Sequence, residues 1–62
     1  MTLHVCKNRR GQMVEAIAYR LPQGAAQYRV RVRQGTRIVT DGRAYATAHA
    51  AVKACKLRAL LP

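Results

Sequence analysis

The sequence predicts an α+β fold, with a three- or four-stranded antiparallel β-sheet packed on one C-terminal α-helix. Apolar and arginine residues alternate without exception from Tyr28 to Arg33, which is the period of a half-buried strand. Other short segments rich in β-formers are separated by turn signals that contain glycine. The segment after Thr47 is rich in alanine and lacks glycine, which is typical of a helix. Because one helix covers only one face of a sheet, we expect the other face to be open.

The first two strands are expected at residues 2–6 and 12–20, on either side of a turn that ends in glycine. Alternation divides the second segment between two mixed faces, so its orientation stays open. One face carries Met13, Glu15, Ile17 and Tyr19, and the other carries Val14, Ala16 and Ala18. Pro22 and Gly24 then end the strand, because proline presets a turn that glycine completes.

The third and fourth strands, at residues 27–33 and 37–41, are expected to form a hairpin with Gly35 in the short connection. Alternation assigns Tyr28, Val30 and Val32 to the apolar side of the third strand. It assigns Arg29, Arg31 and Arg33 to the open side. We expect Arg37, on the partner strand, to add its charge to the same surface.

The helix is expected at residues 48–60, with the hydroxyl of Thr47 as its N-cap. At 100° per residue, one exposed stripe carries His49, Lys53 and Lys56. The opposite, wider face is apolar, and we expect it to approach the sheet closely. One side of that face carries Ala50, Ala54, Leu57 and Leu61, and the other carries Ala51, Val52 and Cys55.

The length of 62 residues predicts a single small domain, residues 1–62. Half of the residues are hydrophobic, but eleven of these are alanines, which bury little area. A domain this small buries only roughly 60% of its unfolded surface. We therefore expect no cofactor and no catalytic cleft, and a homodimer formed through a sheet edge or the helix would supply additional core area.

Two cysteines, Cys6 and Cys55, have no spacing typical of a metal site. We interpret them as small, partly buried apolar residues. A disulfide between the first strand and the helix is the alternative, which sequence alone does not decide. A zinc site that also uses His4 and His49 is less expected, since the four residues include no CxxC or HxxxH spacing.

Twelve lysine and arginine residues against two acidic residues give a formal net charge of +10. Nine of the cations are arginine, whose guanidinium recognises phosphate or guanine with two parallel hydrogen bonds. Arginines that share a strand face repel each other, so a neutralising partner is the simplest explanation, and removing Arg31 and Arg33 should not harm folding. The residues expected to contact nucleic acid are Arg29, Arg31, Arg33, Arg37, Arg9, Arg10, Lys53 and Lys56.

Double-stranded DNA is the expected ligand, since a two- or three-stranded sheet fits the major groove, which is about 12 Å wide. RNA is less expected, because RNA-binding sheets stack bases on aromatic residues, and this chain has neither phenylalanine nor tryptophan. The alternative function is a small modulator, of phage or plasmid type, that docks its basic face on an acidic protein. A strand face that only water contacts is a third interpretation.

Catalysis is not expected, because the chain offers few groups for acid–base chemistry: Glu15, Asp41, His4 and His49. A small ribonuclease-type toxin that uses His49 beside cations is conceivable, but a histidine on the surface or in contact with phosphate is the simpler interpretation. The N-terminal segment has no apolar signal region, and no apolar run is long enough to span a membrane. We therefore expect a cytoplasmic protein that does not enter a membrane.

The stretch from Tyr28 to Ala51 combines an arginine-rich hairpin with the sequence Tyr45-Ala46-Thr47-Ala48-His49-Ala50-Ala51. It resembles the arm-type, AP2-like DNA-binding domain of phage integrases and tyrosine recombinases. The resemblance implies a three-stranded sheet laid in the major groove, with Tyr45 and Ala51 as packing positions and the strand arginines as contacts. The same stretch also looks like the small YegP-like β-β-β-α proteins, which often associate in pairs. The two resemblances remain alternatives.

Overall fold

The computed structural model describes residues 1–61 as a four-stranded antiparallel sheet and one helix. The strands follow each other in the sheet in chain order, each paired with its neighbour in sequence. The elements are β1 (Thr2–Lys7), β2 (Met13–Arg20), β3 (Ala26–Gln34), β4 (Arg37–Thr40) and α1 (Ala48–Ala59). The predicted α+β architecture is confirmed, with four strands and with every boundary within one residue of the expected position.

The core lies between one face of the sheet and α1. Val30 and Val32 of β3 are buried, as the alternation predicted, and the register pairs them with Ala16 and Val14 of β2. This pairing settles the orientation of β2, whose even-numbered residues face the helix. The helix side of the core is built from Ala51 and Cys55, both fully buried. Because these side chains are small, the helix backbone approaches the sheet closely.

The helix begins where the sequence predicted. The Thr47 hydroxyl accepts a hydrogen bond from the backbone N–H of Ala50 at 3.1 Å, which satisfies one of the free donors of the first turn. A backbone hydrogen bond from Tyr45 to Tyr28 attaches the preceding loop to β3. Both tyrosines pack against the core. Among the described residues, no helix is both long and apolar enough to cross a membrane.

The expectation that the whole apolar face of the helix packs on the sheet is wrong for Leu57 and Leu61. These side chains are exposed, at 57% and 60%. Leu61 follows the end of the helix at Ala59. For Leu57 the reason is the position of α1, which lies over β1, β2 and β3 and, within residues 1–61, does not contact β4. Val39 of β4 is 36% exposed for the same reason, although its cross-strand partner Val32 is buried.

The fold brings the two cysteines together as free thiols, with their Sγ atoms 3.6 Å apart. Cys6 lies on β1 and is half-buried, whereas Cys55 is completely buried and donates to the carbonyl of Val14. Across residues 1–61, no group of three or more histidine, cysteine or acidic residues is arranged to hold a metal ion. The pair therefore contributes packing between β1 and α1.

The two thiols should differ in reactivity. Burial, followed by the contact with Cys6, raises the pKa of the Cys55 thiol to about 12. Since the thiolate is the nucleophile, Cys55 should stay unmodified by iodoacetamide at mildly alkaline pH while Cys6 reacts. Peptide mass spectrometry of the alkylated protein measures this, with a sample in denaturant as the control in which both react. Equal rates under native conditions would contradict the buried position of Cys55.

Candidate nucleic-acid interface

The sheet face that α1 leaves uncovered carries a row of three arginines, as the sequence predicted. Cross-strand pairs place Glu15 opposite Arg31 and Ile17 opposite Arg29. Directly opposed residues of an antiparallel pair point to the same side of the sheet. The arginines therefore share this side with the odd-numbered residues of β2, away from the core. We call the surface formed by Arg29, Arg31 and Arg33 the arginine face.

Arg37 does not belong to the arginine face, and that part of the prediction is wrong. The β3–β4 hairpin turns through only Gly35 and Thr36, and Gly35 has a positive φ of 66° that suits glycine. This short turn sets a register in which Arg37 pairs with Gln34, while Arg33 pairs with Ile38. Adjacent pairs point to opposite faces, so Arg37 points to the side on which the helix lies.

The arginine face has its own neutralising carboxylate, which was not among the predicted site residues. Glu15 Oε1 accepts hydrogen bonds from Arg31 Nε at 2.8 Å and from Arg33 Nε at 3.0 Å. The residue is only 7% exposed, although it lies on the uncovered face. The expected repulsion within the row is therefore relieved inside the protein, and an external partner is not needed to explain why the row is stable.

The ion pairs also change the acidity of Glu15. Burial raises the pKa of this carboxyl, but the hydrogen bonds and positive charges of Arg31 and Arg33 together lower it more. The resulting pKa lies below its ordinary value of 4.5. Glu15 is therefore ionised at neutral pH and holds both arginines in place.

The hydrogen bonds to Glu15 leave most donors of the Arg31 and Arg33 guanidiniums free. Arg31 and Arg33 each use Nε, and within residues 1–61 their terminal nitrogens form no hydrogen bond. Their side chains are 25% and 48% exposed. A guanidinium has five N–H donors, so four remain on each arginine for a ligand. The result is two oriented guanidiniums on the uncovered face of the sheet.

Arg29 is held more completely than its two neighbours. Its Nε donates to the hydroxyl of Tyr19 at 2.7 Å and to Gln27 at 3.3 Å. One terminal nitrogen donates to the carbonyl of Asp41 at 3.2 Å. The Tyr19 hydroxyl in turn donates to Gln27. Arg29 thus has fewer free donors. Tyr19, an exposed aromatic residue near the end of β2 on this face, was not among the predicted contacts.

A second group of cations lies at one end of the sheet. Since the strands form a meander, the β1–β2 and β3–β4 turns lie at the same end. Arg9 and Arg10 are exposed in the first turn, which Asn8 stabilises by accepting from the backbone N–H groups of Arg10 and Gln12. We call this group the basic end; its members are Lys7, Arg9, Arg10 and Arg37. No salt bridge reaches any of them in the part of the chain that the structure describes.

Lys7 was not among the predicted contacts, but the register connects it to the arginine face. It pairs with Met13, which pairs with Arg33, so all three point to the uncovered side. The predicted helix residues Lys53 and Lys56 are exposed on α1, on the other side of the sheet. The eight predicted residues are therefore divided between surfaces, and a single flat partner on the uncovered side does not reach Lys53 and Lys56 together with the arginine face.

The comparisons with known proteins found no similar protein: no family model matches the chain, nor does any curated protein or solved structure. The resemblance of residues 28–51 to the arm-type domain therefore stays a prediction. The function is therefore inferred from the cations of the arginine face and the basic end.

Substitution of Arg31 and Arg33, the partners of Glu15, should reduce stability, whereas the sequence alone predicted no harm to folding. The double substitution Arg31→Ala plus Arg33→Ala leaves a carboxylate buried without a partner, which should cost about 2–3 kcal/mol of unfolding free energy. The control Arg9→Ala plus Arg10→Ala removes the same charge from exposed positions and should cost about 0.5 kcal/mol or less. Urea denaturation monitored by circular dichroism measures both.

The pH dependence of this loss of unfolding free energy tests whether it comes from the ion pairs of Glu15. A lowered pKa in the folded state means that the ion pairs contribute fully above the unfolded pKa of Glu15 and stop contributing as the pH falls through the folded pKa. The difference between the wild type and the double variant should therefore shrink in acid. In a Glu15→Gln background the two substitutions should cost less at neutral pH. A loss of unfolding free energy that depends neither on pH nor on the residue at position 15 would contradict the ion pairs of Glu15 as its cause.

Proposed function

We propose that the protein binds nucleic acid without catalysis, and that its ligand is double-stranded DNA held by the arginine face and the basic end. The observation that supports this most strongly is the pair of guanidiniums on Glu15, whose terminal nitrogens are oriented but unused. Lys7, Arg9 and Arg10 of the adjacent basic end form no salt bridge within residues 1–61 and extend the positive surface. A formal net charge of +10 adds general attraction to a polyanion.

The dimensions of the sheet suit the major groove. Arg29 and Arg33 are four residues apart on β3, which corresponds to roughly 13 Å along the strand. Three adjacent strands, β2 to β4, span about 10 Å between the outer backbones, close to the groove width of about 12 Å. A sheet of this size can place alternate side chains of β3 against base edges while its turns lie near the phosphate backbone.

The two cation groups are suited to different roles. Arg31 and Arg33 present fixed donor pairs, which match the two acceptors of guanine or the oxygens of one phosphate. Arg9 and Arg10 lie on an exposed turn, where cations contact phosphate and position the protein without reading sequence. The proposal therefore assigns base or phosphate recognition to the arginine face and backbone contacts to the basic end.

Duplex DNA is favoured over single-stranded RNA by the aromatic content of the face. Proteins that bind single strands stack bases on exposed aromatic rings. Tyr28 and Tyr45 pack against the core, so Tyr19, 37% exposed near the end of β2, is the one aromatic ring on the uncovered side within residues 1–61. The uncovered side therefore offers hydrogen-bond donors in preference to a stacking surface.

A non-catalytic role is part of the proposal, since both acidic side chains already have partners. Glu15 is held by two arginines, and Asp41 accepts from Arg58 at 3.2 Å. The two histidines lie on different elements, His4 on β1 and His49 on α1. Within residues 1–61, each acidic side chain is therefore already paired with a cation, and neither is free to act with a histidine as a general acid–base pair.

The salt dependence of binding tests the proposal. If the surface makes about four to six phosphate contacts, the logarithm of the affinity for a duplex oligonucleotide should fall with the logarithm of salt concentration, with a slope of roughly −4 to −5. Fluorescence anisotropy across a salt series measures this slope. An affinity that does not respond to salt, or no binding near physiological salt, would contradict it and favour the alternative partner, an acidic protein.

A matched pair of variants locates the interface. Arg9→Gln plus Arg33→Gln removes one cation from each group while Arg31 keeps Glu15 paired, and it should weaken duplex binding by about tenfold or more. Lys53→Gln plus Lys56→Gln removes the same charge from α1 and should weaken binding by about threefold or less, through net charge alone. Equal losses would mean attraction without a defined site, and a larger loss from the lysine pair would move the interface to the helix.

A further inference from the structure

A groove runs along the side of α1 that turns towards β4. It exists because α1 covers only β1, β2 and β3 and, within residues 1–61, makes no contact with β4. Its other wall is the loop that joins β4 to α1. We call it the leucine groove; it is lined by Asp41, Arg43, Tyr45, Ala50, Lys53, Ala54, Leu57, Arg58 and Leu61.

The apolar part of the leucine groove is a stripe along α1 that continues just past the end of the helix. Ala50, Ala54 and Leu57 are four and three residues apart, which places them on one side of α1, and Leu61 lines the groove after the helix ends at Ala59. The two leucines are more than half exposed, whereas the alanines are half-buried and form a shallow floor. Adjacent exposed leucines beside a concave floor are typical of a surface that binds another apolar side chain.

The charges around the leucine groove are mostly positive, which favours a negatively charged ligand. Three cations, Arg43, Lys53 and Arg58, lie along it against one carboxylate, Asp41. Arg58 already pairs with that carboxylate at 3.2 Å, so Arg43 and Lys53 remain without an acidic partner within residues 1–61. Arg43 lies over the Tyr45 ring, 5.3 Å from its centre, which fixes one cation at the rim.

A second copy of this chain is a poor match for this groove, because each copy has a formal net charge of +10. Nucleic acid matches the cations but gains nothing from two exposed leucines. A segment that carries both carboxylates and apolar side chains matches both features. We propose that the leucine groove binds an acidic amphipathic segment of a partner protein, with its apolar side chains against Ala54 and Leu57 and its carboxylates near Arg43 and Lys53.

This surface is separate from the proposed nucleic-acid interface. The groove lies on the helix side of the sheet, and the arginine face lies on the other side. The protein would then connect an acidic partner to the ligand of its arginine face. The inference does not depend on nucleic-acid binding, and either proposal can fail alone.

The experiment uses a fluorescein-labelled helical peptide with leucines on one face and glutamates on the other. Anisotropy should show saturable binding to the full chain. Leu57→Ser should weaken binding by about fivefold or more, since the peptide loses its apolar contact. Lys53→Glu should weaken it to a similar extent through charge repulsion. A peptide with alanine for leucine, and one with lysine for glutamate, should both bind far more weakly.

The controls use the same helix. Leu60→Ser changes a leucine that is 66% exposed but does not line the groove, and Lys56→Glu reverses a charge outside it. Both variants should bind the acidic peptide about as well as the wild-type protein does. Thermal unfolding checks that all variants fold. No saturable binding, or equal losses from Leu57→Ser and Leu60→Ser, would overturn the proposal. If Leu57→Ser instead weakens binding of a duplex oligonucleotide, the groove belongs to a nucleic-acid surface and the proposal also fails.

Discussion

The carboxylate of Glu15 holds the Nε groups of Arg31 and Arg33 on the sheet face that α1 leaves uncovered, and the character of that face depends on this contact. Without it, three arginines on one strand would repel each other. With it, two of them are fixed by a charge that burial shields from water. The arrangement concentrates positive charge on the uncovered side of the sheet, while four donors on each of the Arg31 and Arg33 guanidiniums stay free.

The position of α1 determines what the other side of the sheet offers. The helix packs on β1 to β3 through small residues, mainly Ala51 and Cys55, and leaves β4 uncovered. This offset exposes Leu57 beside cations and creates the leucine groove. The same four-stranded sheet thus separates two surfaces of different chemistry, one made of guanidiniums and one of leucines with cations at the rim. Both proposals follow from this division.

Local patterns predicted the elements well, because their signals lie within a few residues. The alternation at Tyr28–Arg33 and the Thr47 cap needed no tertiary information. The side of the sheet to which Arg37 points depends on the register that the two-residue β3–β4 turn sets. The position of Glu15 beside Arg31 depends on the register between β2 and β3. The exposure of Leu57 depends on how far the helix extends over the sheet. Such features require contacts between distant segments, and single-sequence periodicity contains no record of them.

Arginine side-chain NMR gives the most direct test of whether the arginine face is the interface. The Nε–Hε groups of Arg31 and Arg33 should be slow to exchange in the free protein, because Glu15 accepts from both. On titration with a duplex oligonucleotide, these signals and the amides of Arg9 and Arg10 should shift, while the amide of Lys56 stays in place. Shifts confined to α1, or no shifts at physiological salt, would contradict the assignment of the arginine face as the nucleic-acid interface.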